Sequence, residues 1–239
     1  MFRTAPATLK GEQTRAAILA CALELFRERG FDSTTMREIA TRANAALGAA
    51  YYYFSGKEAI VQAYYDQVQS EHHRRVTESL ASGTLDLKDR LRAALHTKLD
   101  VVQNDRRLLG ALFRYSGEPD HALSCFGAAT AGTRRQSITT FALVVGDEKL
   151  PNDLREILPV GFWALHLGIL LYFLYDRSPE QARTRKLVDG VCALVASMVT
   201  LTKSALLKPV RGRLTALVRE AGLVEAEHLA APEFQEEQP

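Results

Sequence analysis

The chain has 239 residues, of which 47% are hydrophobic and 24% are charged. This is ordinary globular composition for one large domain or two small ones, and the chain is long enough to bury a core. The net charge of +2 does not by itself indicate a polyanionic partner. However, residues 220–239 hold six acids and no Lys or Arg, so the first 219 residues carry 30 basic against 22 acidic side chains. That net charge of +8 permits contact with phosphate groups without requiring it.

The cysteine pattern and the N-terminus both favour a cytoplasmic protein. Cys21, Cys125 and Cys192 lie far apart, and the N-terminus lacks the pattern of a secretory signal. No metal site is predicted, because the adjacent His72 and His73 point about 100° apart on a helix and cannot share one ion. Catalytic and nucleotide-binding fingerprints are also missing from the sequence, so we expect neither an enzyme nor a cofactor.

Hydrophobic residues recur at helical spacing nearly throughout the chain, for example at Ile18, Ala22, Leu25 and Phe26. Glycine and proline residues punctuate these segments, and no window shows a sustained strand alternation. We therefore predict an all-α chain of about nine or ten helices.

The length and the apolar content of the predicted helices change along the chain, and this change predicts two domains. Short, sharply punctuated helices are expected in residues 12–72, and longer, more apolar ones in residues 73–225. The two parts are joined near His72 by a continuous helix, since no flexible linker composition interrupts it. Residues 226–239 are acidic and are predicted to form a disordered tail.

Residues 157–175 form a run of 19 residues without Lys, Arg, Asp or Glu, which is long enough to cross a bilayer. Pro159, His166 and the acidic flanks Glu156 and Asp176 argue against a membrane span. We predict a buried helix here, and a membrane-associated helical protein is the weaker alternative.

A dense set of structural signals follows a predicted first helix from Thr14 to Arg29. Residues 35–38 form a capping box that starts a short second helix. Asn44 suits the left-handed turn of a helix-turn-helix, and a third short helix is predicted over residues 47–54. The sequence therefore predicts a helix-turn-helix at about residues 35–54.

Three consecutive aromatic residues in the third helix point 100° apart, so they cannot all be core. At least one of Tyr51, Tyr52 and Tyr53 faces outward, with a hydroxyl that suits a phosphate oxygen or a base edge. Residues 55–58 have the pattern of a second capping box, which places Lys57 in the first turn of the next helix. An ammonium and free backbone N–H groups together favour a phosphate there, so these signals combined favour DNA binding.

Three motifs are shared with one protein family: A-L-E-L-F-x-x-x-G-F over residues 22–31, T-T-x-x-E-I-A over residues 34–40, and Y-x-Y-F-x-x-K-E over residues 51–58. Residues 12 to about 60 thereby resemble the N-terminal DNA-binding domain of the TetR family of transcriptional regulators. The resemblance implies a homodimer whose paired recognition helices enter successive major grooves of a palindromic double-stranded DNA operator. It also implies an α-helical C-terminal domain that binds an inducer and mediates dimerisation.

By this resemblance, the DNA-contacting positions are Thr35, Met36 and Arg37 at the start of the second helix, Leu47, Gly48 and Ala49 at the entrance of the recognition helix, Tyr51, Tyr52 and Tyr53 along it, and Lys57 at a phosphate clamp. The sequence departs from the family at two positions. Ala46 replaces a common Ser or Thr cap, which costs about 1 kcal/mol, and Leu47 replaces a common Lys. We therefore expect base readout to depend on the tyrosines and on apolar contact with a thymine methyl group.

The C-terminal part matches the family in architecture. Ser178 and Pro179 suit the N-cap and first position of a long helix over residues 179–206. This helix and the one at residues 157–175 are apolar on more than one face, so each needs a second partner. The resemblance implies that this partner is the same helix pair of another subunit, packed as a four-helix bundle.

The inducer cavity is expected among the helices between Leu87 and Tyr175. The candidate lining residues combine aromatic walls with a few polar groups; they are Phe113, Tyr115, Phe126, Phe141, Trp163, His166 and Tyr172. Ordinary core packing explains each of them equally well. His166 is the most specific candidate, because a polar group in the uncharged run must find a partner there. That partner is a ligand or, as we expect more often for such a residue, a neighbouring backbone carbonyl. The lining suggests a small hydrophobic or aromatic ligand.

The sequence thus predicts a ligand-responsive DNA-binding regulator, most simply a repressor that an inducer releases from its operator. The alternative is an architectural DNA-binding dimer without an inducer. Thermal stabilisation by a small molecule would separate the two.

Overall fold

The computed structural model describes residues 9–223, so the predicted acidic tail at residues 226–239 lies outside the described residues. The described part contains ten α-helices and no strand, which confirms the all-α prediction. The helices are α1 Leu9–Arg29, α2 Met36–Arg42, α3 Leu47–Tyr53, α4 Lys57–Leu80, α5 Leu87–Val102, α6 Arg106–Ser116, α7 Ala131–Val145, α8 Asn152–Tyr175, α9 Ala182–Thr202 and α10 Lys208–Glu220.

The helix-turn-helix of α2 and α3 forms as its local signals predict. The Thr35 hydroxyl accepts a hydrogen bond from the Glu38 N–H at 3.3 Å, and the Glu38 carboxylate accepts one from the Thr35 N–H at 2.8 Å. Asn44 in the turn has a φ of 49°, the left-handed conformation that Asn tolerates. No side chain caps α3 at Ala46, as the departure from the family pattern predicts.

The second predicted capping box, at residues 55–58, is wrong. α4 begins at Lys57 with Gly56 at its N-cap, and no side chain caps this end. Ser55 lies one position before the N-cap, so its hydroxyl is too early in the chain to serve the first turn. The continuous helix predicted from Lys57 to about Ser79 is confirmed, because α4 runs unbroken to Leu80.

The predicted start of the long helix at Pro179 is also wrong. Glu180 and Gln181 adopt left-handed conformations with φ of 51° and 53°, which interrupt the helix, so α9 begins at Ala182. Asp176 and Ser178 both cap this end: Asp176 Oδ2 accepts hydrogen bonds from the N–H and the hydroxyl of Thr184 at 2.9 and 2.7 Å, and the Ser178 hydroxyl accepts one from the Arg183 N–H at 3.1 Å. At its far end α9 stops at Thr202, and the chain bends by 90° before α10.

Two hydrophobic clusters form the core, and α6 contributes to both. The N-terminal cluster, which includes Phe26, Ile39 and Phe54, also contains Leu108 and Leu112 of α6. The C-terminal cluster is built mainly from α5, α7, α8 and α9. Leu109, on another face of α6, packs against both clusters. α6 therefore lies where the N-terminal helices meet the larger C-terminal bundle.

The uncharged run at residues 157–175 lies within α8, which begins earlier, at Asn152. Among the described residues, α8 is the single helix long and apolar enough to cross a membrane, with a mean hydropathy of 2.0. Of its most apolar window, 39% is buried within the protein. Side chains such as Phe162, Trp163 and Phe173 face the core, but the remaining exposed face of α8 is also apolar.

Candidate DNA-binding surface and ligand cavity

The recognition helix α3 presents small residues followed by exposed tyrosines. A Cβ atom added to Gly48 would meet no atom within 4 Å, so the helix surface there is open. Tyr52 is 82% exposed and Tyr51 is 52% exposed. Within residues 9–223, neither tyrosine hydroxyl has a partner. The Tyr53 ring packs edge-on against Tyr52 at 5.0 Å and lies partly against the core, which supports the outward position of Tyr52.

The other predicted contacts divide between surface and core. Thr35 and Arg37 are exposed at the start of α2. Met36 is buried in the N-terminal cluster, because Met36, Ile39 and Ala40 form the inward face of α2. Its side chain is therefore removed from the predicted contact surface. At the entrance of α3, Leu47 and Ala49 are half-buried, and Leu47 packs against the same cluster.

Lys57 points back toward the loop between α1 and α2. Its Nζ donates hydrogen bonds to the carbonyl oxygens of Phe31 and Asp32 at 2.7 and 3.2 Å, and it lies 4.6 Å from the centroid of the Phe31 ring. Burial lowers the pKa of the Lys57 ammonium. In the free protein this lysine braces the helix-turn-helix, with two of its three donors already used.

A cavity of about 250 Å³ lies between α4, α5, α6, α7 and α8. Its apolar wall is formed by side chains from α4, α5, α6 and α8, which are Val68, Val102, Leu109, Leu167, Leu170 and Leu174. The volume lies just below the range of about 300–1,000 Å³ that is usual for small-molecule sites. The position agrees with the cavity expected among the helices between Leu87 and Tyr175.

Of the seven predicted lining residues, the structure places Phe113, Trp163 and His166 in the cavity wall. The other four lie elsewhere. Phe126 packs edge-on against Trp163 at 5.6 Å but is 62% exposed, and Phe141 is fully buried behind His166. Tyr115 turns toward the DNA-binding helices, where its ring packs on Phe31 and its hydroxyl donates to Asp32. Tyr172 is exposed on the outer face of α8.

The polar part of the cavity wall includes a lysine that the sequence reasoning missed. Lys98 is 4% exposed, and its Nζ donates a hydrogen bond of 2.8 Å to Gln69 Oε1. A signal for it exists in the sequence, because Lys98 interrupts the stripe formed by Leu91, Ala94, Leu95 and Val102 on the buried face of α5. A lysine in such a stripe is buried among apolar side chains, which is rare unless the ammonium group is paired with another group.

Two further cavity residues carry polar atoms without a partner. Among the described residues, nothing accepts or donates a hydrogen bond at the Ser137 hydroxyl or at either ring nitrogen of His166. Burial, and then the Lys98 charge, hold the pKa of His166 well below its ordinary value. The His166 ring is therefore neutral and offers one N–H donor.

One carboxylate links the DNA-binding helices to the cavity. Asp105, immediately before α6, accepts a hydrogen bond from Arg27 Nε of α1 at 2.7 Å and another from the Tyr64 hydroxyl of α4 at 2.8 Å. At the other end of α6, Arg114 and Tyr115 both contact the Asp32 carboxylate. α6 is thus attached to the DNA-binding helices at both ends.

The outer faces of α8 and α9 carry exposed apolar stripes. On α8 they include Leu171, Tyr172 and Tyr175, the last 75% exposed. On α9 they recur at helical spacing, at Leu187, Leu194, Met198 and Leu201, which are 44–67% exposed. Exposed apolar stripes on two neighbouring helices mark an interaction surface.

No group of three or more His, Cys, Asp or Glu side chains within residues 9–223 is arranged to hold a metal ion. The adjacent histidines have separate partners. His72 Nε2 donates to the Ala94 carbonyl at 2.9 Å, and His73 Nδ1 pairs with the Thr140 hydroxyl at 3.0 Å.

Comparison with known proteins identifies relatives for both halves of the chain. The family model described as "Bacterial regulatory proteins, tetR family" matches residues 18–64, and the one described as "Tetracyclin repressor-like, C-terminal domain" matches residues 90–212. The chain is 29% identical over 177 residues to the HTH-type transcriptional activator FasR of Mycolicibacterium smegmatis, which covers 72% of this chain and 77% of FasR. It is 35% identical over 99 residues to the HTH-type transcriptional repressor NemR of Escherichia coli, which covers 41% of this chain and 50% of NemR.

Solved structures share the fold at lower sequence identity. The TetR transcriptional regulator from Nitrosomonas europaea has 17% identity and a TM-score of 0.59, over 77% of this chain and 98% of that one. Thermus thermophilus FadR, a transcriptional repressor in complex with lauroyl-CoA, has 20% identity and a TM-score of 0.55, over 75% of this chain and 93% of that one.

Proposed function

Since the chain belongs to the TetR family of bacterial transcriptional regulators, we propose that it binds a palindromic operator as a homodimer and represses transcription until a small hydrophobic or aromatic inducer releases it. The division into a DNA-binding domain at residues 12–72 and a ligand-binding and dimerisation domain at residues 73–225 is part of this proposal, as is a cytoplasmic location. The related NemR is named a repressor, whereas FasR is named an activator. The direction of the transcriptional effect is therefore tested together with DNA binding.

The exposure of Tyr52 carries the DNA-binding part of the proposal. A tyrosine that is 82% exposed on a helix with small neighbours loses nothing in core packing when it enters a major groove. Tyr51 on the same helix adds a second free hydroxyl, and Arg37 on α2 adds an exposed guanidinium; these groups suit base edges and phosphate oxygens. The open surface at Gly48 allows the backbone of α3 to approach DNA closely.

Dimerisation is supported by the exposed stripes on α8 and α9. In a two-fold dimer each stripe packs against the same surface of the second subunit, which removes large side chains such as Tyr175 and Leu201 from water. This arrangement would also cover the exposed apolar face of α8 without a membrane. A fixed distance between the two recognition helices follows, as successive major grooves about 34–36 Å apart require.

The cavity supports regulation by a small molecule. Its walls are apolar with a few convergent polar groups, which is typical of a ligand site. Phe113 and Trp163 provide aromatic walls, and His166 provides a polar group. The bound lauroyl-CoA of Thermus thermophilus FadR belongs to that protein, and it supports only the general idea that this fold accommodates an apolar ligand.

Coupling between the cavity and DNA is proposed to run through α4 and α6. Both helices line the cavity, at Gln69 and Phe113, while other faces of the same helices belong to the N-terminal cluster, at Ile60 and Leu112. A ligand that shifts these helices moves the recognition helix with them. The inducer must then bind the widely spaced state of the dimer more tightly than the DNA-competent state.

A footprint of the purified protein on the DNA flanking its own gene tests this function. We expect two protected half-sites related by a palindrome, with protection lost when an inducer is added and transcription of a reporter increased. Protection that no stabilising ligand alters would favour the alternative, an architectural DNA-binding dimer. A failure to protect any fragment of that DNA would contradict the operator proposal.

A further inference from the structure

The cavity has an excess of positive charge that the protein itself does not balance. Lys98 and Arg134 both line it, whereas its lining contains no Asp or Glu. Arg134 is partly satisfied, since its Nη1 donates to the carbonyl oxygens of Cys125 and Gly127 at 3.1 and 3.2 Å. Lys98 has only the neutral Gln69 amide, and no carboxylate within residues 9–223 forms an ion pair with it. A buried ammonium in this state is expensive, so its retention points to a partner that arrives from outside.

Lys98 and two other side chains of the cavity lining have hydrogen-bonding groups that the protein does not satisfy. The ammonium has three donors, of which Gln69 uses one. The Ser137 hydroxyl and the His166 ring also line the cavity, each about 95% buried, and neither has a partner. A negatively charged group with several acceptor lone pairs suits this combination of an unpaired cation and unpartnered polar side chains in one cavity lining, and a carboxylate has this chemistry.

The apolar part of the cavity lining determines what kind of body can be attached to the carboxylate. Val102 and Leu109 lie on one side, and Leu167, Leu170 and Leu174 lie along α8 on another. The volume of about 250 Å³ limits the ligand to a compact body, and the apolar lining favours a body that is itself apolar. Such a body gains binding free energy from each part of its apolar surface that is removed from water.

We propose that the inducer is a carboxylic acid whose carboxylate pairs with the Lys98 ammonium and accepts hydrogen bonds from Ser137 and His166, while its apolar body lies against the leucines of α8. This inference rests on the proposed function in taking the cavity as the inducer site. It adds a ligand class, and it assigns Lys98 as the residue that selects for an acid over a neutral molecule. In the ligand-free protein, burial lowers the pKa of Lys98 to about 7, so a bound carboxylate would restore the full charge of the ammonium.

Binding of matched acids and amides to the full chain tests the proposal. The probes are hexanoate, octanoate, decanoate and 2-naphthoate, each paired with its primary amide, measured by isothermal titration calorimetry at about pH 8. We expect at least one acid to bind at least about tenfold more tightly than its amide, with uptake of most of one proton detected by comparing buffers of different ionisation enthalpy. In Lys98→Met the preference and the proton uptake both disappear. No acid binding better than its amide, or a preference that survives in Lys98→Met, would overturn the proposal.

Two further variants separate the specific pair from general effects. Lys186→Met makes the same change of charge at an exposed position on α9 and should keep the preference for the acid. If it loses the preference as Lys98→Met does, the effect is long-range charge and the Lys98 assignment fails. Lys98→Gln keeps a polar side chain and should also lose the preference, which covers the case that Lys98→Met fails to fold.

Operator binding distinguishes failure of this inference from failure of the proposed function. If wild type and Lys98→Met both protect the operator while no acid binds more tightly than its amide, the proposed regulatory function is supported and the proposed ligand class is wrong. If wild type binds no DNA near its gene yet prefers acids through Lys98, the ligand class stands and the regulatory proposal fails.

Discussion

The Tyr64 hydroxyl donates a hydrogen bond of 2.8 Å to Asp105 Oδ2 in the interior, where the N-terminal helices meet the larger C-terminal bundle. The other carboxylate oxygen accepts a hydrogen bond of 2.7 Å from Arg27 Nε. Burial and the neighbouring Asp105 charge raise the pKa of Tyr64, so the phenol stays protonated and remains a donor. Three helices that belong to different functional parts therefore meet on one carboxylate.

Replacing Tyr64 by Phe removes this donor and leaves Oδ2 of Asp105 buried with one partner fewer. We expect the free energy of unfolding to fall by about 1–3 kcal/mol, as measured by urea denaturation. Because the same bond joins α4 to the start of α6, the inducer should also release DNA less effectively. Tyr52→Phe, on the exposed face of α3, is the stability control and should change the free energy of unfolding by less than about 0.5 kcal/mol, because the Tyr52 hydroxyl has no partner within residues 9–223. Unchanged stability and unchanged release in Tyr64→Phe would contradict the role given to this bond.

Tyr52→Ala should weaken operator binding at fixed salt by at least about tenfold, because it removes a contact proposed to lie in the major groove. Its side chain is 82% exposed, so thermal stability should be unchanged. Tyr52→Phe separates the hydroxyl from the ring. Fluorescence anisotropy with a labelled operator measures all three proteins, and equal affinities of Tyr52→Ala and wild type would remove Tyr52 from the interface.

Gly48→Ala should change stability and DNA binding in opposite directions. The added methyl group meets no protein atom within 4 Å, and alanine favours the helix over glycine by about 0.5–1 kcal/mol. The same methyl group would stand between the start of the recognition helix and DNA, so operator affinity should fall. A variant that is more stable and also binds DNA as well as wild type would show that the backbone makes no close approach at this position.

Met198→Glu places a charge in the apolar stripe of α9, where the side chain is 55% exposed in one subunit. In the proposed dimer this carboxylate becomes buried without a partner, which is strongly unfavourable. Light scattering at micromolar concentration should show a dimer for wild type and a monomer for the variant. Gln67→Glu introduces the same charge on the exposed side of α4 and should remain dimeric. A monomeric wild type, or a dimeric Met198→Glu, would place the subunit interface elsewhere.

Local signals predicted the helix-turn-helix well because its conformations are set by near neighbours in the chain. The Thr35 capping box and the left-handed Asn44 need only residues within a few positions, and both form as expected. The helix starts predicted from Ser55 and Ser178 were both too early. α4 begins one residue later than predicted, at Lys57. α9 begins at Ala182, and the Asp176 carboxylate takes part in capping it through Thr184. A capping motif therefore predicts that a helix begins nearby, but tertiary contacts decide where.

The ligand site was harder to predict, because aromatic composition does not report which way a side chain faces. Phe113 and Trp163 line the cavity, whereas the equally aromatic Phe141 and Tyr172 lie behind it and outside it. The more informative residue was Lys98, whose position in an apolar helical stripe was visible in the sequence. A charged residue at a core position is a stronger indicator of a site than another aromatic residue, since burying it has a cost that packing does not offset.

Lys98 also predicts a pH dependence of stability in the ligand-free protein. Its pKa is lowered by burial from 10.5 to about 7, so between these values the unfolded chain binds a proton that the folded chain does not. The free energy of unfolding of wild type should therefore rise with pH from about 7 to about 10.5, relative to Lys98→Met. Below about pH 7 the penalty is fully present, and Lys98→Met should be the more stable protein.

The other titratable groups near Lys98 are present in both proteins, so their contributions cancel in the comparison. His72 from α4 has its pKa lowered by burial, then by the Lys98 charge, to about 3, and the pKa of His166 from α8 is likewise lowered well below its ordinary value. Burial raises the pKa of the Cys125 thiol and the pKa of the Tyr65 phenol, and both side chains line the same cavity together with Arg134 of α7. Urea denaturation of both proteins at about pH 7 and about pH 9 should show the gap in stability narrowing at the higher pH. Parallel pH profiles would mean that Lys98 is not buried as a titrating amine.

In the proposed mechanism, filling the cavity lowers the affinity for DNA, and a titration of the operator with and without ligand measures this coupling. The affinity of wild type for its footprinted operator is measured by anisotropy at fixed salt, with and without the acid that raises the melting temperature most. The proposed mechanism predicts at least about tenfold weaker DNA binding at saturating ligand, and no change in Lys98→Met at the same concentration. An operator affinity that stays constant while the melting temperature shows the cavity to be filled would contradict the mechanism.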